Sequence, residues 1–356
     1  MSELRNKLAL AKREIGRSVV YINPKLQEES ETKDQNPLFF GLKDTNQIPE
    51  PIINRLRNSP NYLWLTVDKA SNRGRAIDTD LLNPLTYRAM TGSTSGGPIN
   101  IVKGITDFAV GTDGGGSVLA PALSCQLSSI IGAGFGLLVK NEKKSTDGLT
   151  FTGSIGVIGK NIDTLKEVME CIVGARLEQK MNHAVKVVVP KKGTIICPDG
   201  QDMYEKVMRY LSKVQHDPYI VEELAMDAID NREQGIKAIR EAFEQKGADL
   251  IVTCEGPVDL YGYGETIPHF FAEPGQGLTR GHGKYLLRAA NMCEATAVTV
   301  PIETLATGLV IIAKKGLDAG AEALELAAKL EKVIAMPEIW KRYIIEGTQF
   351  TGLDLQ

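Results

Sequence analysis

The sequence of 356 residues contains few of the residues that build disulfide frameworks or metal centres. Its five cysteines are widely separated, form no CxxC pair and are odd in number, which favours reduced, mostly buried thiols over disulfides. Its four histidines form no HExxH or similar pair, so a zinc site is not expected. We therefore predict that the protein needs neither a metal nor a cofactor.

Long apolar runs and an excess of one charge are also missing. The chain has 41 basic and 44 acidic residues, for a net charge of −3, and no basic stripe; this argues against nucleic acid or an anionic membrane as a partner. No run is long enough to span a bilayer. The charged start MSELRNKLALAKREIG does not resemble a secretory signal. We expect a cytoplasmic protein without nucleic-acid or membrane partners.

What the sequence does contain is two clusters of glycine and hydroxyl residues. Residues 92–97 read GSTSGG and residues 111–117 read GTDGGGS. Three glycines before a serine allow several backbone N–H groups to point into one space, as in an anion nest or an oxyanion hole beside a nucleophile. Such clusters also form ordinary turns. A P-loop is disfavoured because no lysine follows Gly116.

The tandem clusters resemble the core of the amidase signature family of Ser-Ser-Lys amidohydrolases. That resemblance implies that Ser117 is the nucleophile, that Thr94 relays its proton, and that Lys69, just after a predicted strand, is the base. It also implies an oxyanion hole formed by backbone N–H groups of Gly114, Gly115 and Gly116. The family's fold is a large mixed sheet covered by helices on both faces, and the resemblance extends over residues 60–335.

The implied chemistry sets conditions on these residues. Lys69 must be neutral to act as a base, so it should be buried and lack a carboxylate partner. The family usually has serine at the position of Thr94, and threonine is stiffer at χ1; Ser93 or Ser95 could serve instead if the register is shifted by one. The family often has an arginine two residues after the nucleophile. Here that residue is Leu119, so no acidic substrate is assigned.

Two segments are expected to shape the substrate pocket. Residues 256–283 are rich in glycine and aromatics and show little periodicity, which is typical of a functional loop, or of a long surface connection. We predict that Ser93, Ser95, Tyr261, Tyr263 and His269 contact the substrate. Residues 70–93 are shorter than the corresponding stretch of the family. We therefore expect a more open site, or one covered by another segment, a second copy or a partner subunit.

Alternation of strand-like and helix-like segments predicts an α/β protein with a largely parallel sheet. Residues 1–58 are predicted to form an N-terminal helix and an arm packed on the body, and residues 59–356 a single catalytic domain. Polar residues and three prolines between 24 and 50 suggest that this stretch is an exposed arm or a meandering loop. The periodicity predicts helices at 2–15, 50–58, 161–171, 202–214, 219–246, 284–294 and 319–334, and strands at 62–67, 105–110, 184–189, 250–254, 297–300 and 309–313.

The sequence thus predicts a metal-independent serine amidase that cleaves the C–N bond of a small-molecule or peptide amide through an acyl-enzyme. Two alternatives stay open. The same acyl-enzyme could transfer its acyl group to an amine or another acceptor, or the chain could be a degenerate binding subunit without catalysis.

Overall fold

The computed structural model describes residues 2–144, 150–178, 184–214, 219–259, 271–280 and 282–346. Within these ranges, a large mixed sheet of twelve strands forms the centre of the molecule, and helices pack against it. The predicted α/β class with one large mixed sheet is confirmed. The expectation of a largely parallel sheet is wrong, because most strand pairs of this sheet are antiparallel.

The strands follow in the order β1 (Val19–Ile22), β2 (Leu38–Lys43), β3 (Tyr62–Asp68), β4 (Ile77–Leu82), β5 (Ala89–Thr91), β6 (Phe108–Asp113), β7 (Ser128–Gly132), β8 (Leu138–Lys144), β9 (Thr150–Gly159), β10 (Val185–Pro190), β11 (Tyr219–Leu224), β12 (Leu250–Glu255), β13 (Thr296–Pro301) and β14 (Gly308–Ala313). Their order in the large sheet is β1-β3-β2-β6-β9-β7-β13-β14-β12-β10-β11, and β8 pairs with β9. Strands β4 and β5 form a separate antiparallel pair.

The helices are α1 (Ser2–Arg13), α2 (Leu26–Ser30), α3 (Glu50–Asn58), α4 (Gly96–Val102), α5 (Leu119–Ser124), α6 (Ile162–Val173), α7 (Met203–Leu211) and α8 (Arg232–Arg240), followed by Ala272–Arg280, Leu317–Val333 and the short Glu338–Trp340. The predicted helices at the N-terminus, at 50–58, at 161–171 and near 319–334 are confirmed. No helix among the described residues is long and apolar enough to cross a membrane.

Strands β3, β2 and β6 lie side by side and run parallel, so their carboxyl ends meet at one edge of the sheet. Strand β2 pairs with β3 on one side and with β6 on the other, and the Phe40 and Phe108 rings stack with centroids 5.3 Å apart. The next strand along the chain, β3, lies on one side of β2, and the later strand β6 lies on the other side. The strand order therefore reverses at β2. In open α/β sheets, ligands bind in the crevice at such a point.

The predicted exposed arm is wrong for residues 38–43. These residues form β2, in the middle of a parallel group, where Phe39 and Phe40 are buried. The run Leu-Phe-Phe-Gly-Leu is apolar throughout, as expected for a strand covered on both faces. The same sheet includes strands from both sides of residue 58.

Two predicted helices are also corrected. Residues 219–224 form the edge strand β11, which pairs in parallel with β10, and the helix starts only at Arg232. Residues 284–294 contain two short 3-10 turns, Leu286–Arg288 and Ala290–Cys293, instead of a continuous helix. Cross-strand pairing with β10 overrides the helical spacing in the first case.

The short stretch between Lys69 and Thr94 folds into the β4–β5 pair. Thr86 donates to Asp259 over 2.7 Å, and Arg88 donates to the Asp259 carbonyl over 3.2 Å. These contacts attach the pair to the segment that follows β12. Its tip includes exposed apolar side chains at Leu82 and Tyr87.

Candidate active site

The turn that carries Ser117 connects β6 to α5 and is shaped by Asp113. The Asp113 carboxylate accepts backbone N–H groups from Gly116 over 2.7 Å and from Val118 over 2.6 Å, one on each side of the serine. Gly116 has φ +91°, a conformation that favours glycine. Ser117 is partly exposed, and its hydroxyl makes no hydrogen bond to another described residue.

The three glycines of this turn are each pressed against a different side chain. A Cβ on Gly114 would collide with the Phe151 ring, and one on Gly116 would lie 2.6 Å from Leu287 Cδ1. A Cβ on Gly115 would lie 3.3 Å from Arg232 Nη2. Because the neighbouring side chains lie so close to the backbone, residues larger than glycine do not fit between Asp113 and Ser117 without displacing them.

The first cluster lies directly beside this turn. The Thr94 N–H donates to the Ser117 carbonyl over 3.2 Å. A Cβ on Gly111 would lie 2.7 Å from Thr94 Oγ1, so β6 and the first cluster are in close contact. Thr94 is buried, and its hydroxyl makes no hydrogen bond to any described residue. The structure therefore brings Thr94 and Ser117 together, as the sequence predicts.

A lysine that the sequence reasoning missed reaches this junction. Lys43, the last residue of β2, is buried, and its Nζ donates to Ser93 Oγ over 2.7 Å and to Thr112 Oγ1 over 3.0 Å. Lys43 therefore contacts both clusters at once. The available signal was the apolar run Leu38–Leu42 followed by Lys-Asp, because a buried strand delivers its last residue to the sheet edge.

Lys69 lies in a different environment from the one expected. Its Nζ donates to both Asp78 carboxylate oxygens over 2.7 Å and lies 3.3 Å from Asp80. The expectation that Lys69 has no carboxylate partner is wrong. The ion pair links the end of β3 to β4.

The residues predicted to contact the substrate do not lie together in one environment. Ser95 is fully buried and donates to Asp78 over 2.6 Å, so its hydroxyl belongs to the Lys69–Asp78 network. Ser93 is buried against Lys43. Tyr261, Tyr263 and His269 lie outside the described residues.

The backbone N–H groups predicted to form the oxyanion hole differ in whether they already make a hydrogen bond. The N–H of Gly116 is already bound by Asp113, so it does not remain available to a ligand in this arrangement. The N–H groups of Gly115 and Ser117 make no hydrogen bond to other described residues.

Two carboxyl groups are buried near the site. Asp68 accepts hydrogen bonds from Thr66 and Asn100 at one oxygen, each over 2.7 Å, and its other oxygen has no partner among the described residues. Glu255 accepts backbone N–H groups from Tyr285 and Leu287. Burial raises the pKa of each carboxyl to about 7. Among the described residues, no group of three or more His, Cys, Asp or Glu could hold a metal ion.

Comparison with known proteins places this fold among amidases. The sequence matches no protein-family model, and no curated protein sequence matches it. Solved structures do match. A substrate complex of 6-aminohexanoate cyclic dimer hydrolase is 13% identical, with a TM-score of 0.65 over 94% of this chain and 95% of that one.

Two further structures support the same assignment of the fold. A Kluyveromyces lactis allophanate hydrolase variant is 13% identical, with a TM-score of 0.65 over 93% of this chain and 70% of its own. Native peptide amidase from Stenotrophomonas maltophilia is 12% identical, with a TM-score of 0.60 over 93% of this chain and 94% of its own. The fold is that of amidase signature enzymes, and the predicted resemblance is confirmed at that level.

Proposed function

We propose that this protein hydrolyses a carboxamide through an acyl-enzyme on Ser117, with Lys43 as the base in place of Lys69. The observation that carries the proposal is the contact of Lys43 with Ser93 and Thr112, beside the turn that holds Ser117. The fold shared with solved amidases supports the reaction class.

In the proposed reaction the Ser117 hydroxyl attacks the carbonyl carbon of the amide while its proton moves toward Lys43. A base must be neutral to accept the proton, so the proposal requires the buried Lys43 amine to be uncharged when Ser117 reacts. The N–H groups of Gly115 and Ser117 bind the oxyanion of the tetrahedral intermediate. The proton then passes to the leaving nitrogen, the C–N bond breaks, and water hydrolyses the ester on Ser117.

Two hydroxyls can connect Lys43 with Ser117. Ser93 already bonds to Lys43, whereas Thr94 makes no side-chain hydrogen bond to the described residues and is joined to Ser117 through its backbone. The variants S93A and T94V distinguish them. Loss of the relay hydroxyl should lower the rate of serine acylation by roughly 10²-fold or more, as loss of a general-base path does, whereas the other variant should retain most of it.

The test is intact-mass labelling with a fluorophosphonate, which forms a covalent bond only with an activated serine. We expect one adduct on the wild type and none on S117A. The K43M variant should lose labelling, whereas K69M should keep it whenever the variant is folded. Labelling that persists in K43M and is lost in folded K69M would show that Lys69, and not Lys43, is the base.

The two alternatives predict other outcomes. Labelling together with acyl transfer to an added amine, and no free acid from the amide, would favour an acyltransferase. Absence of an adduct on the folded wild type between neutral and alkaline pH would favour the non-catalytic binding subunit. Release of a free acid and an amine from an amide substrate is the result expected for a hydrolase.

A further inference from the structure

A second concave site lies beside the C-terminal helical segment. It is a groove of about 570 Å³, a size within the range of small-molecule sites. Its lining includes Leu85 from the turn between β4 and β5, Glu303 and Leu305 from the connection between β13 and β14, and residues 336–344. We call it the C-terminal groove. It shares no lining residue with the Ser117 turn, so it is a separate candidate site.

One face of the C-terminal helical segment forms an apolar and aromatic wall of this groove. The face carries two pairs of side chains, each separated by one helical turn: Ile339 with Tyr343, and Trp340 with Ile344. Ile339 is 69% exposed and Tyr343 is 46% exposed. The described residues therefore leave much of this apolar face open to a ligand, and two of its side chains are aromatic.

Glu303 is the one charged side chain among the described residues that line the C-terminal groove. Its Oε1 accepts the Tyr210 hydroxyl over 2.7 Å, and it makes no other hydrogen bond or ion pair with the described residues. The connection that carries it is held by Gln126, which donates to the Ile302 carbonyl over 2.7 Å and accepts the Ala306 N–H over 2.8 Å. One carboxylate oxygen thus remains available at a fixed place in the lining.

We infer that the C-terminal groove binds an organic cation with an apolar body, an alkyl- or arylalkylammonium ion, with Glu303 as its counter-ion. An ammonium group donates hydrogen bonds, and those to a carboxylate are stronger than bonds between neutral groups. The ring faces of Trp340 and Tyr343 attract a cation, and the aliphatic side chains favour the apolar body. An anion would be repelled by Glu303 and would find no cationic side chain in the described lining.

The experiment compares phenylbutylammonium with phenylbutanol and phenylbutyrate, which keep the apolar body and change only the charge. Each is titrated into the full-length protein while tryptophan emission is recorded. The chain has two tryptophans, Trp64 and Trp340, so the W340F variant identifies the signal that comes from the groove. We expect phenylbutylammonium to bind the wild type most tightly and phenylbutyrate to bind most weakly.

The E303Q variant removes the charge and keeps an oxygen that can accept the Tyr210 hydroxyl, so it should fold. Phenylbutylammonium should bind E303Q roughly 3–10-fold more weakly than the wild type, as for loss of a partly exposed ion pair with a charged hydrogen bond. Phenylbutanol should bind both proteins equally. The matched control is E338Q, because Glu338 is exposed on the same helical segment and does not line the groove. E338Q and S117A should bind all three probes as the wild type does.

Unchanged affinity of E303Q for phenylbutylammonium overturns the cation site. A binding signal that W340F retains, or that S117A abolishes, also overturns it, since the ligand would then lie elsewhere. Failure of phenylbutylammonium to bind the wild type overturns it as well. In that case, shielding of Trp340 from acrylamide in the free protein would indicate that another part of the chain fills the groove, and shielding that depends on protein concentration would indicate a second copy.

Discussion

The Asp113 carboxylate lies 2.6 Å from the backbone nitrogen of Val118, on the far side of Ser117 from the glycines. The other carboxylate oxygen of Asp113 binds Gly116, just before the serine. One buried side chain therefore fixes the backbone on both sides of the candidate nucleophile. Its removal should disturb Ser117 without touching the serine itself.

The D113N variant tests this arrangement. The Asp113 carboxylate accepts the backbone N–H groups of Gly116, Val118 and Leu119. Asparagine replaces one acceptor oxygen by an NH₂ group, so at least one of these three N–H groups loses its partner. We expect the rate of fluorophosphonate labelling to fall roughly 10²-fold, because small displacements of reacting groups have effects of that size. The free energy of unfolding should fall by about 1–3 kcal/mol. The same substitution at the exposed Asp227, D227N, is the control and should leave the labelling rate and the stability unchanged. An unchanged labelling rate in D113N would contradict the positioning role of Asp113.

The Lys69–Asp78 pair should contribute to stability and not to acylation. Asp78 is buried, so K69M leaves a carboxylate without its cation and should destabilise the fold by about 3 kcal/mol. Urea unfolding of K69M, D78N and the double variant measures the coupling between them. If the two single effects simply add, the ion pair does not account for the stability that Lys69 contributes.

Buried Asp68 should make stability fall as the pH rises. Its pKa is about 3.8 when the chain is unfolded and about 7 in the folded protein. Between these values the native state retains a proton that the unfolded state has lost, so the free energy of unfolding decreases with increasing pH by up to about 1.4 kcal/mol per pH unit for this group.

Glu255 and Glu331 should also lower the free energy of unfolding as the pH rises, because burial raises the pKa of each to about 7. Burial also raises the pKa of Asp113 and Asp259. D68N removes one of these contributions, so urea unfolding between pH 4 and 7 should show a shallower decline for D68N than for the wild type. Parallel curves for the two proteins would show that Asp68 does not hold its proton in the folded state.

Two neighbouring glycines should respond differently to alanine. G116A requires a residue at φ +91° and places a Cβ 2.6 Å from Leu287 Cδ1, so we expect a loss of roughly 2 kcal/mol or more and of labelling. At Gly115 the nearest atom is the end of the flexible Arg232 side chain, 3.3 Å away. G115A should therefore fold with a stability within about 1 kcal/mol of the wild type. Thermal unfolding and labelling of both variants test the contrast, and equal losses would contradict it.

Local sequence was sufficient to predict a tight turn between β6 and α5, because three consecutive glycines precede Ser117; the role of Ser117 as nucleophile stays a prediction. The contact between the two clusters was also predictable from the resemblance. Lys43 was missed because the stretch 24–50 as a whole is polar and contains three prolines, which hid the short apolar run Leu38–Leu42. The burial of β2 depends on its pairing with β3 and β6. That pairing joins segments far apart in the chain, which periodicity cannot detect.

The choice between Lys43 and Lys69 shows the same limit. Both lysines lie at the carboxyl ends of parallel strands, and the sequence alone gives them similar contexts. The structure distinguishes them by their contacts, since Lys69 pairs with Asp78 on β4, whereas Lys43 is buried against Ser93 and Thr112. At residues 219–224 the spacing of apolar residues suited a helix. These residues form a strand instead, because they pair with β10, a contact between distant parts of the chain that local spacing does not reveal.

The central place of β2 has a consequence for the order in which the chain can assemble. As the protein is synthesised from its N-terminus, β2 and β3 emerge before β6, and the open edge of β2 is covered only when residues 108–113 arrive. Lys43 is thus in place before the strand that leads to Ser117. A chain that begins at residue 59 would leave β3 and β6 without the strand between them, so trimming the first 58 residues should abolish folding of the sheet itself.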